Sequence, residues 1–584
     1  MDNPIVAAYF QCTTFHHIFH KMPHASEAPE ALPPIAALFL VVFDQKIGYK
    51  VSWQRSLPDT RIEGIAEYKS LPSGLHNVKE DLIYFTQDDF AGLSAFVSKA
   101  AGAADRNARF VAVGVYVPLS YGRLGRAWMH AQGLRELANS SVDDQDNYDT
   151  LEKYWQTHKL NSSSDEIRAS ALQEPSSPAA VKPSKTKNRA RGILSEVAGF
   201  SVREHVLSPD HPALSMPDFM NAFGPLVFPL HRAALLRKRI LFVGHAPIQR
   251  TCNFVYNLSI FSNIPPSLAD VLPSDTASHR IKPLFNVGIH DITELKNMDN
   301  EGGWVACTTD DIIATKRDLF DVLVELSPAS PDQWPKVTTT DGLQILATQR
   351  DLRRYNALSR ELSHEDEDDQ GAQALQDEDE AGPLMRKNEA AIIEPPSWAA
   401  IAYSSFLWWA SAGESSTAED EESEQDASLL EDLVRTTSAP TTPLTPTHGR
   451  KRRRSSASRQ KKRNSTTSLT RLVTGQDSDE EDTDPPSLEE TQQKSMILIA
   501  YFYRLTTLVM SGLADIISSA EEDGNGRVNE DDSIQLNAEE VSGLGLDIWS
   551  EADAKFIAGL SLLWWDRHVS WNGRGVELCG VRIC

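Results

Sequence analysis

The side chains with the clearest chemical potential in this 584-residue chain are hydroxyls that could accept a phosphate. Thr442 and Thr445 each precede a proline, which suits proline-directed kinases. Ser456 and Ser465 follow basic residues, and Ser478 precedes a run of acids. These five hydroxyls are the candidate phosphorylation sites. A phosphate at any of them would add roughly two negative charges.

A dense basic run lies among these hydroxyls and is the candidate patch for an anionic surface. Its side chains are Arg450, Lys451, Arg452, Arg453, Arg454, Lys461, Lys462 and Arg463. The run could serve as a nuclear address, bind an anionic membrane, or pair with acidic blocks of the same chain. It holds no aromatic residues for base stacking, so a specific nucleic-acid partner is not indicated. Phosphates beside it would cancel its charge and form an electrostatic switch.

Other polar clusters do not predict catalysis, a cofactor or a metal. The histidines at positions 16, 17, 20 and 24 lack the thiolate or carboxylate spacing of a metal site and are more typical of a loose leader. Asp310 and Asp311 could hold Mg²⁺, but no phosphate-binding loop accompanies them, which favours a turn after a strand. The chain has no GxSxG, HExxH, P-loop or HRD motif, so a hydrolase or kinase is disfavoured.

Composition indicates a folded protein with polar insertions. The formal net charge is −25, which argues against a dedicated nucleic-acid binder. Five cysteines without a CxxC pair favour a reducing compartment over a disulfide framework. The first residues lack the features of a signal peptide, so we expect a cytoplasmic protein, with peripheral membrane association as an option. The most apolar long stretch, from Ser495, carries Arg504 in its middle, which disfavours a membrane span.

The stretch from Ser215 to Ser262 predicts a helix, a buried strand and a second helix. Residues 240–243 are an unbroken apolar run closed by Gly244, as in a parallel strand covered on both faces. Further strand patterns alternate with helices up to residue 335, which predicts an α/β module with parallel connections. Upstream, residues 36–53 predict a β-hairpin, and three more strand patterns follow before a helix over 121–137.

The second half predicts helices around a long polar insert. Four arginines, at positions 350, 353, 354 and 360, lie on one predicted helix, where a solvated face is favoured over contacts with acidic partners. Residues 361–494 are rich in charge, serine and proline and are expected to be disordered. A Trp-rich island at 395–413 interrupts them, and packing on the core is favoured over membrane contact.

The predicted order of units follows from these changes of composition. They are a loose leader (1–31), an upstream module (32–137), a linker (138–192), a central module (193–335), a connecting helix (336–360), the insert (361–494) and a helical downstream module (495–584).

This order resembles DENN-domain proteins. The stretch LLRKRILFVG followed by CNFVYNLSIF is similar to their central module. FLVVFDQKIGYKVSWQRSLPD and ARFVAVGVYVPLSYGRLGRAW resemble the LCHN-type branch in its fungal form. The resemblance implies an α/β fold with a longin-like N-terminal module, a central α/β DENN module and a helical C-terminal module, with long disordered insertions.

The resemblance also implies a function. DENN modules are best known as guanine nucleotide exchange factors for Rab-type small GTPases in membrane trafficking, and they need no cofactor. Their partner-binding surface lies between the upstream and central modules. The alternative is a non-catalytic DENN-fold scaffold or tether that binds a GTPase or a membrane surface. A nuclear regulator using the basic run is the least favoured option.

Overall fold

A computed structural model gives the architecture of the chain. It describes residues 32–161, 207–364, 391–396, 417–430 and 487–582, except for short gaps at 45, 47, 59, 72–73, 75–77, 101–107, 269–270, 274–276, 299–301, 327–332, 524–532, 572–576 and 579–580.

Nine of the ten strands of the main sheet come from the predicted upstream and central modules, and the last comes from the segment that was predicted as the connecting helix. They are β1 (Ala37–Asp44), β2 (Gly48–Ser56), β3 (Glu80–Gln87), β4 (Phe90–Ala100), β5 (Ala108–Pro118), β6 (Ile240–Val243), β7 (Lys282–Asn286), β8 (Trp304–Thr308), β9 (Val322–Glu325) and β10 (Lys336–Thr339). Their order across the sheet is β10-β9-β6-β8-β7-β3-β4-β5-β1-β2. The predicted α/β class is therefore confirmed.

The upstream half of the sheet is antiparallel and the central half is mostly parallel. The predicted hairpin is β1–β2, which pairs Ala37 with Ser56 and Asp44 with Gly48. In the central half, β6 lies between β8 and β9 and pairs with both in parallel. All four residues of β6 are buried, as its unbroken apolar run predicts.

Helices cover both halves and build the C-terminal part. They are α1 (Ala66–Lys69), α2 (Ala131–Asp143), α3 (Asp149–His158), α4 (Met216–Phe223), α5 (Val227–Leu235), α6 (Gln249–Phe261), α7 (Ile292–Asn297), α8 (Asp311–Ala314), α9 (Gln349–His364), α10 (Thr417–Leu430), α11 (Leu488–Asp523), α12 (Ala538–Gly543) and α13 (Glu551–Trp565). Two small sheets join β11 (Ile534–Leu536) to β12 (Val569–Trp571), and β13 (Glu577–Leu578) to β14 (Val581–Arg582).

The region predicted as a helix over 121–137 departs from that prediction. Leu124, Gly125 and Arg126 have left-handed φ values of 53°, 56° and 57° inside a 3-10 segment, and α2 begins only at Ala131. A β-carbon on residue 125 would lie 2.9 Å from the carbonyl oxygen of Pro118, so this close turn requires glycine.

Packing inside the protein explains the apolar composition of the long helix α11. By length and hydropathy, residues 488–521 could cross a membrane, and 56% of the apolar window is buried inside the protein. Phe502 stacks on Phe261 with ring centroids 4.3 Å apart, and Met510 and Leu513 belong to a second core with α13. The helix is therefore a core element shared by two apolar clusters.

Two predictions about the second half are wrong in part. The insert 361–494 is not structureless throughout, because residues 391–396 and helix α10 are ordered against the rest of the fold. Two of the four arginines of α9 do not belong to a solvated face: Arg350 and Arg354 are buried and ion-paired with Asp426 of α10, whereas Arg353 and Arg360 are exposed. The ordering of α10 and the burial of Arg350 and Arg354 have one cause, since the acidic block supplies the counter-ions of these arginines.

Candidate functional site

The two halves of the sheet meet at the pair β3–β7. The contact is a single backbone bridge between Phe85 and Phe285. The hydroxyl of Thr86 adds a hydrogen bond to the carbonyl oxygen of Leu284 at 3.3 Å. Phe285 has a left-handed φ of 58°, and the register of β7 against β8 shifts at this point. The chain therefore bends where its upstream and central modules join.

A buried lysine locks the joint. Lys69 of α1 donates to the carbonyl oxygen of Thr86 at 2.8 Å and pairs with a carboxylate oxygen of Asp291 at 2.9 Å. The other carboxylate oxygen of Asp291 accepts from the backbone amide of Gly288. The side-chain amide of Asn286 donates to the carbonyl oxygen of Lys69. Breaking such a buried pair costs about 3–5 kcal/mol, so α1 and the loop after β7 are held together rigidly.

An exposed patch lies above this lock. Tyr68 stacks on His290 with ring centroids 3.7 Å apart, and 46% of Tyr68 remains exposed. Ile289 and Ile312 are also exposed, at 42% and 53%. We call these four side chains the edge patch. Large apolar groups on a rigid surface are typical of contacts with another macromolecule.

The edge patch lies where the parallel strands end. Ile289 and His290 follow β7, and Ile312 follows β8. The two loops are adjacent, because a β-carbon added to Gly288 would lie 3.8 Å from a carboxylate oxygen of Asp310. Open α/β sheets bind their partners at this edge, outside the carboxyl ends of the strands.

A carboxylate from the upstream half also caps a helix of the central half. Asp81 of β3 accepts from the backbone amides of Ile248 and Gln249, at 2.7 and 3.1 Å, at the start of α6. It accepts from Leu82 as well. Burial raises the pKa of Asp81, and its bonds to these amides oppose that rise. The cap fixes α6 relative to the upstream sheet.

The site offers surface chemistry rather than a reaction centre. The amide of Asp310 donates to the hydroxyl of Thr308, in the turn predicted after this strand. Among the residues that the structure describes, no three His, Cys, Asp or Glu side chains form a metal-binding group. A small pocket of about 10 Å³, beside His231 and Arg232, has room for one water molecule at most.

The candidate residues predicted from the sequence lie outside the described ranges. This holds for the five hydroxyls Thr442, Thr445, Ser456, Ser465 and Ser478, and for the basic run 450–463. The Trp-rich island lies outside as well, apart from residues 395–396. These predictions remain open.

The edge patch was missed by sequence reasoning because its parts are distant in the chain. Tyr68 lies in the upstream module and His290 in the central module, and no local sequence pattern predicts that their rings stack. One available signal was the position of Ile289 and His290 directly after a buried strand, where a partner site is expected in an α/β sheet.

Comparisons with known proteins agree with this architecture. A family model described as DENN domain-containing protein 11 matches residues 38–335, just over half of the chain. A second model, described as a domain of unknown function (DUF4484), matches residues 393–533 and 521–584.

The relatives come from vertebrates and fungi. A DENN domain-containing protein 11 of Xenopus laevis is 34% identical over 293 residues, which are 50% of this chain and 59% of the relative. The uncharacterized protein ANR2 of Saccharomyces cerevisiae is 25% identical over 418 residues, 64% of this chain and 72% of the relative. The uncharacterized protein C119.16c of Schizosaccharomyces pombe is 27% identical over 349 residues, 58% and 74% of the two chains.

The match has a defined extent. The chain spans 59% of the length of the Xenopus relative and 57% of the Rattus norvegicus relative. The family model covers the whole ten-stranded sheet except for the outer strand β10 and the first residue of β1. With this match and the fungal relatives, the chain belongs to the DENN domain-containing protein 11 family.

Proposed function

We propose that the protein is a guanine nucleotide exchange factor for a Rab-type small GTPase in membrane trafficking. The observation that carries this proposal is the edge patch, an exposed aromatic and aliphatic surface fixed on the joint of the two modules. Membership of the DENN-domain family supports a GTPase as the partner, since DENN domains generally act on Rab GTPases.

Exchange requires a shape rather than a catalytic side chain. An exchange factor accelerates nucleotide release by binding the nucleotide-free GTPase more tightly than the nucleotide-bound form. A rigid surface is suited to this role, because it imposes one conformation on its partner. The Lys69–Asp291 pair supplies that rigidity beneath the patch, and the Tyr68–His290 stack supplies it within the patch.

The test is release of labelled GDP from a panel of purified Rab proteins. We expect the full chain to accelerate GDP release from one of them. The Ile312→Asp variant should accelerate it at least tenfold less, because an apolar contact would remove water from the new carboxylate at a cost in binding free energy. Leu343→Asp is the matched control: Leu343 is 68% exposed, in the turn after β10. Equal rates for both variants would exclude the edge patch as the contact surface.

The second candidate is a scaffold or tether without exchange activity. The basic run 450–463 favours it, because such runs bind anionic membranes. This proposal places the protein in the cytoplasm and at the surface of membranes. It predicts binding to phosphatidylserine vesicles and weaker binding when Ser456 and Ser465 are both changed to Asp. Vesicle binding without GDP release from any Rab would select the scaffold.

A further inference from the structure

Helix α9 presents arginines to a groove that is filled by another part of the chain. Arg350, Arg353 and Arg354 line it, and we call it the arginine groove. Arg350 and Arg354 are 1% and 3% exposed, whereas the side chain of Arg353 is 50% exposed. Helix α10, from the acidic part of the insert, occupies the groove.

The contacts between groove and helix are charge-assisted. Arg354 donates through Nε and Nη2 to one carboxylate oxygen of Asp426, at 2.9 and 2.7 Å. Arg350 donates to Gln425 at 2.7 Å and to Asp426 at 3.1 Å. Arg353 donates to Glu422 at 2.6 Å. Hydrogen bonds of this kind are roughly twice as strong as neutral ones.

The helix presents a defined pattern to the groove. Glu422, Gln425, Asp426 and Leu429 are spaced i, i+3, i+4 and i+7, which places them on one helical face. Leu429 is buried, and its carbonyl oxygen accepts from Arg504 of α11. Ser423, between these positions, is exposed. The inward face is therefore mostly carboxylate and amide, and Leu429 and Leu430 at the end of the helix pack against the core.

This composition makes the contact exchangeable. Ion pairs supply the attraction, and a second helix that carries the same carboxylates can replace the buried pairs of Arg350 and Arg354. Residues 397–416 and 431–486 join α10 to its neighbours in the chain, so α10 is tethered at both ends. A tethered ligand holds its site through high effective concentration, and a free ligand of the same pattern competes for it.

We propose that the arginine groove is a binding site for acidic helices, occupied at rest by residues 417–430 and available to a helix of the same pattern from another protein. The partner helix carries Glu or Asp at two positions four residues apart and Leu three residues after the second. This surface is independent of the edge patch and of exchange activity.

The experiment measures peptide binding to the full chain. Changing Glu422, Gln425 and Asp426 together to Ala removes the tethered competitor. A fluorescein-labelled peptide of residues 417–430 is then titrated with each chain, and its anisotropy is recorded. We expect saturable binding to the altered chain and at least tenfold weaker binding to the unaltered one. Raising NaCl from 0.05 to 0.5 M should weaken the binding at least fivefold.

Two single changes in α9 locate the binding surface. Arg353→Glu in the altered chain should weaken peptide binding at least fivefold, because it places a like charge against Glu422. Arg360→Glu is the control: Arg360 is exposed on the same helix and donates to the carbonyl oxygen of Asn356. Absence of binding to a folded altered chain, or equal loss from both changes, would overturn the proposal.

A second measurement uses the unaltered chain and does not depend on the folding of any variant. Hydrogen exchange of residues 417–430 is followed by mass spectrometry with and without an excess of the same peptide carrying heavy isotopes. If the added peptide competes for the groove, hydrogen exchange of residues 417–430 in the chain itself should become faster. Unchanged exchange at millimolar peptide would mean that α10 is a permanent part of the fold.

Discussion

Cys252 and Cys307 lie with their sulfur atoms 3.6 Å apart between α6 and β8. Both thiols are fully buried, and burial raises the pKa of Cys307 well above its ordinary value. The thiolate is the reactive form of cysteine, so a buried thiol with a raised pKa is inert. We therefore predict that iodoacetamide leaves both residues unmodified in the native protein.

The measurement is peptide mapping by mass spectrometry after brief alkylation, with the urea-unfolded chain as the control. Both cysteines should be fully modified in urea. Modification of either one in the native chain at the rate seen in urea would show that α6 separates readily from β8.

His130 is a buried neutral histidine. Its Nδ1 lies 2.7 Å from the hydroxyl of Tyr154 and its Nε2 lies 2.8 Å from the carbonyl oxygen of Pro33. Burial lowers its pKa from 6.5 to about 4. Between those pH values the unfolded chain binds the additional proton and the native chain does not. His130 therefore lowers the free energy of unfolding by roughly 1 kcal/mol per pH unit as the pH falls through this window.

The prediction is a change of slope. Denaturant unfolding is measured from pH 6.5 down to pH 4 for both proteins. As the pH falls, the free energy of unfolding of the His130→Gln variant should decrease by roughly 1 kcal/mol less per pH unit than that of the unaltered protein. Comparing slopes separates this effect from any loss that the substitution causes at every pH. Parallel curves for both proteins would mean that His130 is protonated in the fold.

At the scale of elements, the cap that Asp81 provides to α6 should be measurable. Asp81→Ala leaves the amides of Ile248 and Gln249 without their acceptor, and we expect a loss of about 2–4 kcal/mol. The neighbouring Glu80 is exposed, and Glu80→Ala should change stability by less than about 0.5 kcal/mol. Denaturant midpoints for the two variants test this. Similar midpoints would show that α6 is held by packing alone.

The elements also show what sequence reasoning can reach. Both ends of strand β6 were predicted correctly, because a run of four apolar residues closed by a glycine is typical of a short buried strand. Helix α10 was missed, because its inward face is made of carboxylates and amides. Hydrophobic periodicity cannot detect a polar inward face, and an acidic run considered alone indicates repulsion between its own charges. The edge patch escaped prediction since contacts between distant loops leave no local pattern.

At the scale of the whole molecule, the insert is part of the fold at two places. Segment 391–396 pairs with the chain at Ala347, and α10 fills the arginine groove. Two truncated chains separate these parts from the rest: one lacks residues 431–486, and the other lacks 397–486. We expect the second to be about 1–3 kcal/mol less stable than the first, because Arg350 and Arg354 lose their charged partners.

Thermal unfolding of the two truncated chains, recorded side by side, gives this difference. Equal melting temperatures would show that water replaces α10 without cost. The comparison also shows which truncated chain is suitable for the GDP-release assay. A chain that keeps residues 391–396 and 417–430 retains its ordered contacts.

The sharing of α11 between two cores has a practical consequence. Phe502 lies against Phe261 and Phe228, and Thr506 contacts His231, so the far end of the chain completes the interior of the central module. A fragment cut at the limits of the family match, 38–335, would present these rings to water and aggregate. The unit that is inherited as a recognisable family is thus smaller than the unit that can exist alone in solution.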